Sequence, residues 1–343
     1  MLKDIVDTAV VQSILQAVAD AGRIVVCCHK SPDGDALGSS LAVAALLRQN
    51  GKDTTVVVPD AYPDFLQWLP GSDRIVRHDK RPEAAEEAMA GADLVFCLDF
   101  NSVSRVEGLR EALEKTPARK IMVDHHLAPE PFADIAVSRP DMSSTSEMVF
   151  RLVRQAGLMG QVGKDSASCL YCGMMTDTGG FTYNSGSPEI YLIISELLSK
   201  GIDKDRIYRR VFHNYSHWAI RLRGHVMCNK LRMVDGLHAS YYTISKEEMA
   251  RFHFVRGDAE GLVNEPLRIK GNRLSIALRE DDRRADTVWV SLRSVDSFPC
   301  NKMAEEFFNG GGHLNASGGR LHCSLEEAAE VAEKAIRAYA ALL

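Results

Sequence analysis

The sequence predicts an α/β chain: an N-terminal doubly wound parallel-sheet domain, then a smaller C-terminal α+β domain with a mixed sheet, and a cleft between them. Three observations carry this reading. Residues 1–200 alternate β-branched apolar runs with helical stretches. Residues 187–235 read as helical throughout, with many charges and few breakers, and supply a connector. From His238 onward the strand signals shorten and are interleaved with helices. The expected division is therefore 1–200, 201–236 and 237–343.

In the first domain, IVVCC (24–28) and TTVVV (54–58) are β-branched strand candidates. The stretch LGSSLAVAALLRQNG (37–51) between them has helical spacing, with Gly51 as its C-terminal stop. DLVFCLD (93–99), KIMVDHH (120–126) and the weaker DIAVS (134–138) add three strands. Strands separated by helices favour a parallel sheet covered on both faces. SSTSEMVFRLVRQAG (143–157) reads as a helix whose Ser/Thr start and Glu147 resemble a capping box. SASCLYCGMMTDTGG (166–180) reads as a buried helix ending in a glycine loop.

In the second domain, ASYYTIS (239–245), RLSIALRE (273–280) and TVWVSLRS (287–294) are short strands. KEEMARF (246–252) and MAEEFFN (303–309) are helices, and residues 324–343 close the chain as a third.

Composition narrows the class. An apolar share of 45% and a charged share of 25% are those of a globular protein. No apolar run approaches the roughly 20 residues that span a bilayer, and the acidic, helical N-terminus lacks the form of a signal peptide. The eight cysteines sit in apolar segments, as expected in the cytoplasm rather than in a disulfide framework. A net charge of −5 argues against a surface for long nucleic acid, but a local arginine cluster can still hold a few phosphates.

Four stretches place Asp or His at the end of an apolar run: His29 with Asp33 and Asp35, then Asp99, then Asp124-His125-His126, then Asp177. Strand ends gather at one edge of a parallel sheet, so these groups can converge. Hard oxygen ligands with some imidazole suit divalent cations, manganese included. Two such ions can share a carboxylate and hold a hydroxide between them, which points to two-metal phosphoester hydrolysis. Pro32 and Gly34 impose a turn that can splay Asp33 and Asp35 to two ions, although either can also cap the following helix. Spacing alone does not say which aspartate bridges.

In GGGHLNASGG (310–319), three glycines allow close backbone approach, so that His313 and Asn315 can face a phosphate or base. Ser317-Gly318-Gly319 is expected to add backbone donors at a helix start. Arg293 is a candidate bidentate phosphate clamp. Arg268, Lys270 and Arg273 can track a short backbone. Arg279, Arg283 and Arg284 alternate with acids and read as a solvated hairpin. The Cys169–Cys172 pair reads as buried. His213 and His217 read as one helical turn apart on a connector surface.

On these motifs the chain resembles the DHH/DHHA1 phosphoesterases. HKSPDGDALGSS (29–40), Asp99, Asp124-His125-His126 and TDTGGF (176–181) match the family's core motifs, and GGGHLNASGG its second domain. The nearest subgroup is that of bifunctional oligoribonucleases that also remove the 3′-phosphate of 3′-phosphoadenosine 5′-phosphate. The resemblance implies two Mn²⁺, with Mg²⁺ or Co²⁺ as alternatives. One ion is held by His29, Asp33, Asp99 and Asp177, the other by Asp35, Asp99, His125 and Asp177. Asp124 orients a ligating histidine, and His126 faces the scissile phosphate. Arg293, Gly311, Gly312, His313, Asn315 and Ser317 bind the nucleotide.

The expected enzyme is a cytoplasmic exonuclease-type hydrolase of short oligonucleotides and nucleotide bisphosphates. Its catalytic groups are His126, Asp124 and Asp99. The main rival acts on cyclic or linear dinucleotides; a pyrophosphatase-like enzyme and a dead-site nucleotide binder are weaker alternatives. A homodimer is implied by the resemblance alone.

Overall fold

The computed structural model describes residues 2–255 and 257–343, and the chain divides into two compact units, Met1–Asn214 and Tyr215–Leu343. The boundary falls inside the segment read as a connector.

The first unit runs α1 (Thr8–Asp20), β1 (Arg23–Cys28), α2 (Gly34–Gln49), β2 (Asp53–Val58), β3 (Val76–Arg77), α3 (Pro82–Ala90), β4 (Leu94–Leu98) and α4 (Arg110–Lys115). It continues with β5 (Arg119–Asp124), β6 (Ile135–Ser138), α5 (Thr145–Gln155), α6 (Lys164–Asp177), α7 (Pro188–Ser199) and α8 (Lys204–Phe212). Its six strands lie in the order β3-β2-β1-β4-β5-β6, all parallel. Alternate residues feed two cores. Ile24, Val26 and Cys28 of β1 join the side packed by α2, α5 and α6. Val25 and Cys27 join the side packed by α3 and α4. The predicted doubly wound sheet is therefore present. The strand order reverses between β1 and β4, and loops leaving that point diverge to leave a crevice at the carboxyl ends of the strands.

Helix α6 packs on α2 through glycines. A Cβ at Gly38 would lie 2.5 Å from the Cys169 carbonyl oxygen, and one at Gly34 2.3 Å from Thr176 Oγ1. This close approach brings the start of α2 to the end of α6.

The second unit runs α9 (His217–His225), β7 (Arg232–Met233), β8 (Ala239–Ile244), α10 (Lys246–Arg251), β9 (Leu274–Glu280), β10 (Val288–Ser294), α11 (Cys300–Phe307), β11 (Gly311–Gly312), β12 (Ala316–Leu321) and α12 (Leu325–Ala338). Its sheet has the order β11-β12-β10-β9-β8-β7 and is mixed, since β8 and β9 are parallel and the other pairs antiparallel.

Four local expectations are corrected. Residues 187–235 are not continuously helical: Gly201 at φ 79 follows the end of α7, and α8 ends at Phe212 with His213 as its cap. His213 and His217 consequently lie on opposite sides of a break, at the end of α8 and the start of α9. Glu147 does not close a capping box. Ser144 caps α5, but the Glu147 carboxylate reaches Ser143 N and Oγ and the Arg151 guanidinium instead. Ser317-Gly318-Gly319 does not start a helix but lies in β12, because these residues pair with β10 and with the two-residue strand β11. Glycine is needed here for approach rather than flexibility: a Cβ at Gly319 would sit 2.3 Å from the Phe308 carbonyl oxygen.

Candidate active site and metal centre

The carboxyl ends of β1, β4 and β5 carry His29, Asp99 and the Asp124-His125-His126 triplet to the switch point of the sheet. The start of α2 adds Asp33 and Asp35, and the end of α6 adds Asp177.

Each imidazole is oriented by a bond at Nδ1. His29 Nδ1–H donates to the Lys30 carbonyl at 2.7 Å, which turns Nε2 to Asp99 Oδ2 at 3.3 Å and Asp33 Oδ1 at 3.9 Å. His125 Nδ1–H donates to the Met142 carbonyl at 3.2 Å, and its Nε2 lies 3.6 Å from Asp99 Oδ1 and 3.4 Å from Asp177 Oδ2. His126 Nδ1–H donates to Asp124 Oδ1 at 2.7 Å. A carbonyl cannot donate, so the first two contacts fix the ring tautomers, as in ligands braced from behind. Asp124 thus grips His126, while His125 is held by Met142.

The carboxylates are fixed as firmly. Asp33 is the N-cap of α2, and its Oδ1 accepts the amides of Asp35 and Ala36 at 3.0 Å each. Capping and proximity to His29 therefore coexist in one side chain. Asp99 follows β4 in the left-handed region at φ 64, which aspartate tolerates at a cost of roughly 1 kcal/mol. Asp177 ends α6, where the helix dipole is unfavourable to an anion. A carboxylate placed against its helix dipole points to a use other than stability.

Ligand atoms of His29, Asp33 and Asp99 come within 4.8 Å of one another, and so do those of Asp35, His125 and Asp177. Asp99, Asp124 and His126 form a third such group. The electrostatics follow from this crowding. Burial pushes Asp177 up to about 7, against the pull of His125. Burial and the neighbouring Asp99 and Asp177 push Asp35 well above the usual carboxylate range. Burial opposes charge on His29, yet its hydrogen bond to Asp99 and the nearby Asp33 raise it to about 9. Burial likewise opposes charge on His125, but Asp177, Asp99 and Asp35 raise it to about 9. Burial would raise Asp99, and the histidines outweigh it and hold it well below the usual range. Crowded buried carboxylates with imidazoles as their cationic neighbours form a hard oxygen and nitrogen donor set that a divalent cation would neutralise.

In the second unit, Arg293 is in β10, with its Nη1 on the Leu292 carbonyl at 2.9 Å. Gly311 and Gly312 form β11; Gly312 has φ 143, and His313 follows it. Asn315 donates to Ser294 Oγ at 2.9 Å and to the Asp296 carbonyl at 3.0 Å. Ser317 Oγ donates to the His313 carbonyl at 2.8 Å. These two side chains brace the glycine hairpin.

Sequence reasoning missed two supports. Asn101 Nδ2 donates to the carbonyls of His126 and Leu127 at 3.0 and 2.9 Å, tying down the histidine loop. Thr145 and Ser146 contact Asp35 and Asp99 from the start of α5. The signal for the second was a Ser-Ser-Thr-Ser run at 143–146, all of it buried.

Comparison with known proteins agrees with this architecture. Residues 23–174 match the DHH family, N-terminal domain, and residues 246–341 match the DHHA1 domain. The bifunctional oligoribonuclease and PAP phosphatase NrnA of Thermus thermophilus is 30% identical over 95% of this chain and 92% of its own length. The cyclic-di-AMP phosphodiesterase PdeA of Listeria monocytogenes is 25% identical over 96% of this chain, which spans 49% of that protein. The crystal structure of an exopolyphosphatase-related protein from Bacteroides fragilis is 48% identical, with TM-score 0.95 and 99% of each chain covered. RecJ of Thermus thermophilus in complex with Mn²⁺ shares the fold, with TM-score 0.55 and 15% identity over 98% of this chain and 55% of RecJ. Fold, site and relatives together define a hydrolase of phosphoester bonds. The chain belongs to the DHH/DHHA1 family and carries both of its domains.

Proposed function

We propose that the protein uses two Mn²⁺ to hydrolyse phosphoester bonds in short oligonucleotides and the 3′-phosphate of 3′-phosphoadenosine 5′-phosphate. The observation that carries this reading is the gathering of His29, Asp33, Asp35, Asp99, His125 and Asp177 at one sheet edge, in two groups of ligand-capable atoms within 4.8 Å. The oligoribonuclease and PAP phosphatase activities for which the Thermus relative is named support the substrate class. On this reading His29, Asp33, Asp99 and Asp177 hold one ion, and Asp35, Asp99, His125 and Asp177 the other. When bound, the cations supply charge neutralisation at phosphorus and a nucleophile derived from water at neutral pH. His126, its Nδ1–H held by Asp124, offers Nε2 to the phosphoryl oxygens, to which the doubly protonated ring donates. Arg293, His313 and the glycine hairpin bind the nucleotide.

Cytoplasmic action fits this reading. The cysteines are free among the described residues, and none of the described helices is long and apolar enough to cross a membrane.

A second reading, turnover of cyclic or linear dinucleotides, is favoured by the likeness to the Listeria enzyme. Product analysis with Mn²⁺ separates the two. The substrates are a 5′-labelled RNA series of two to five nucleotides, 3′-phosphoadenosine 5′-phosphate and a cyclic dinucleotide. Mononucleotides from the RNA together with phosphate from the bisphosphate support the first reading. Activity on the cyclic dinucleotide alone replaces it with the second.

A further inference from the structure

The start of α5 belongs to none of the family motifs named above, yet it touches two of the site's carboxylates. Ser144 caps the helix by accepting the Glu147 amide, which leaves the first two helical amides for other acceptors. Both go to one side chain: Thr145 N donates to Asp35 Oδ2 at 2.6 Å, and Ser146 N to Asp35 Oδ1 at 2.8 Å. The Thr145 hydroxyl donates to Asp99 Oδ1 at 2.9 Å. Thr145 and Ser146 are both 0% exposed.

Asp35 and Asp99 come from separate elements, the start of α2 and the end of β4, and like charges held close repel. A single residue that donates to both opposes that repulsion. Its bonds are charge-assisted and lie at the positive end of a helix dipole. The turn itself is anchored from behind. Glu147 accepts from Ser143 N and Oγ at 2.9 and 2.6 Å and from Arg151 Nε at 2.9 Å, and Arg151 also pairs with Glu189 at 2.7 Å. Glu147 and Arg151 are nearly fully buried, so the helix end cannot drift toward either carboxylate.

We propose that Thr145 is a positioning residue for the metal centre, its hydroxyl setting the orientation of Asp99 while its turn locks Asp35. The role rests on the metal-dependent reading above. It acts through the carboxylates, since among the described residues the hydrogen bonds Thr145 donates outside its own helix go to Asp35 and Asp99. The distinction from packing is chemical: valine fills the same volume but has no hydroxyl, whereas serine keeps the hydroxyl and loses only a methyl.

The test uses the full chain as wild type, Thr145→Val, Thr145→Ser and Thr145→Ala. Mn²⁺ affinity is read by electron paramagnetic resonance, kcat and KM on 3′-phosphoadenosine 5′-phosphate, and folding by thermal melting. Loss of a residue that braces a metal ligand weakens metal binding about 10–100-fold. Thr145→Val should therefore bind Mn²⁺ that much more weakly and lose kcat, with KM within about threefold, while Thr145→Ser stays within about threefold in all. If the valine variant does not fold, the serine–alanine pair decides: affinity retained in serine and lost in alanine supports the role, and equal affinities overturn it. A folded Thr145→Val that matches wild type overturns it too, as does a serine variant as impaired as the valine one. Wild type that binds Mn²⁺ and turns over beside an unaffected valine variant removes only the positioning role. Wild type that neither binds Mn²⁺ nor turns over removes the metal-dependent reading itself.

Discussion

Asp124 holds His126 twice: its Oδ1 accepts the ring Nδ1–H and its Oδ2 the backbone amide, each at 2.7 Å. The carboxylate is fully buried at the end of β5, so neither bond competes with solvent. It keeps a proton on Nδ1 and fixes the direction of the ring, so that donation to a substrate falls to Nε2 when that nitrogen is protonated too.

Replacing Asp124 with Asn keeps the shape and removes the charge. An asparagine NH2 group presented to the ring no longer accepts from Nδ1–H, so the doubly protonated ring that donates from Nε2 loses its brace. We expect kcat to fall by about 10²-fold, in the range of general acid–base and oriented-donor contributions. Mn²⁺ affinity should move little, because the imidazole concerned is His126 rather than His29 or His125. A variant that loses metal affinity and keeps kcat per bound ion would place Asp124 in the metal shell instead.

Asp99 is the residue on which the site converges, within 3.3 Å of His29, 3.6 Å of His125 and 2.9 Å of Thr145 Oγ1. Asp99→Ala should abolish turnover while the fold survives at a lower melting temperature, since alanine adopts a φ of 64 less readily than aspartate and the change leaves His29 and the Thr145 hydroxyl without their buried partner. Steady-state kinetics and a thermal melt check this together. Near-normal activity would remove the assignment of Asp99 as a shared ligand.

The alternation of IVVCC, TTVVV, DLVFCLD and KIMVDHH made the parallel sheet readable, because buried central strands must be continuously apolar and their polar residues fall at the ends. The same logic exposed His29, Asp99 and the histidine triplet. What stayed hidden depends on contacts far apart in sequence. Thr145 lies 110 residues from Asp35, and a Ser-Ser-Thr-Ser run before Glu147 reads locally as a helix cap and nothing more. Glu147 likewise reads as a capping partner until Arg151 and Glu189 pack beside it. The glycine string at 310–319 read as close backbone approach and a helix start, and only the pairing of β11, β12 and β10 shows that the approach is between strands.

Mn²⁺ affinity should climb with pH from 6 to 9. Cations compete with protons for the same groups. Asp177, at about 7, is mostly neutral below neutrality. His29 and His125, each at about 9, are protonated and positively charged until well above it. Raising the pH deprotonates first the carboxylate and then the imidazoles, and each step favours the cation. Metal binding at pH 8 should accordingly release protons, which calorimetry in buffers of different ionisation enthalpy measures. A flat affinity profile with no proton release would contradict the coupling of these groups to the ions.

Gly173 offers a test of how packing sets the site. It lies within α6, where alanine would ordinarily gain roughly 1 kcal/mol in helix propensity. A Cβ there would lie 2.0 Å from Ser146 Oγ and 2.9 Å from Asp35 Oδ1, both on buried side chains that cannot yield cheaply. Overpacking of this kind costs about 1–3 kcal/mol, so the clash outweighs the propensity gain. Gly173→Ala should lower the unfolding free energy by up to about 2 kcal/mol, the difference of those two effects. It should also weaken Mn²⁺ binding, because the displaced atoms include Asp35 and the turn that holds it. Gly186→Ala meets nothing within 4 Å and serves as the control. Denaturant melts and Mn²⁺ titrations of both variants decide the matter. A Gly173→Ala protein as stable and as tight-binding as Gly186→Ala would mean that the contact of α6 with the start of α5 does not set the position of Asp35.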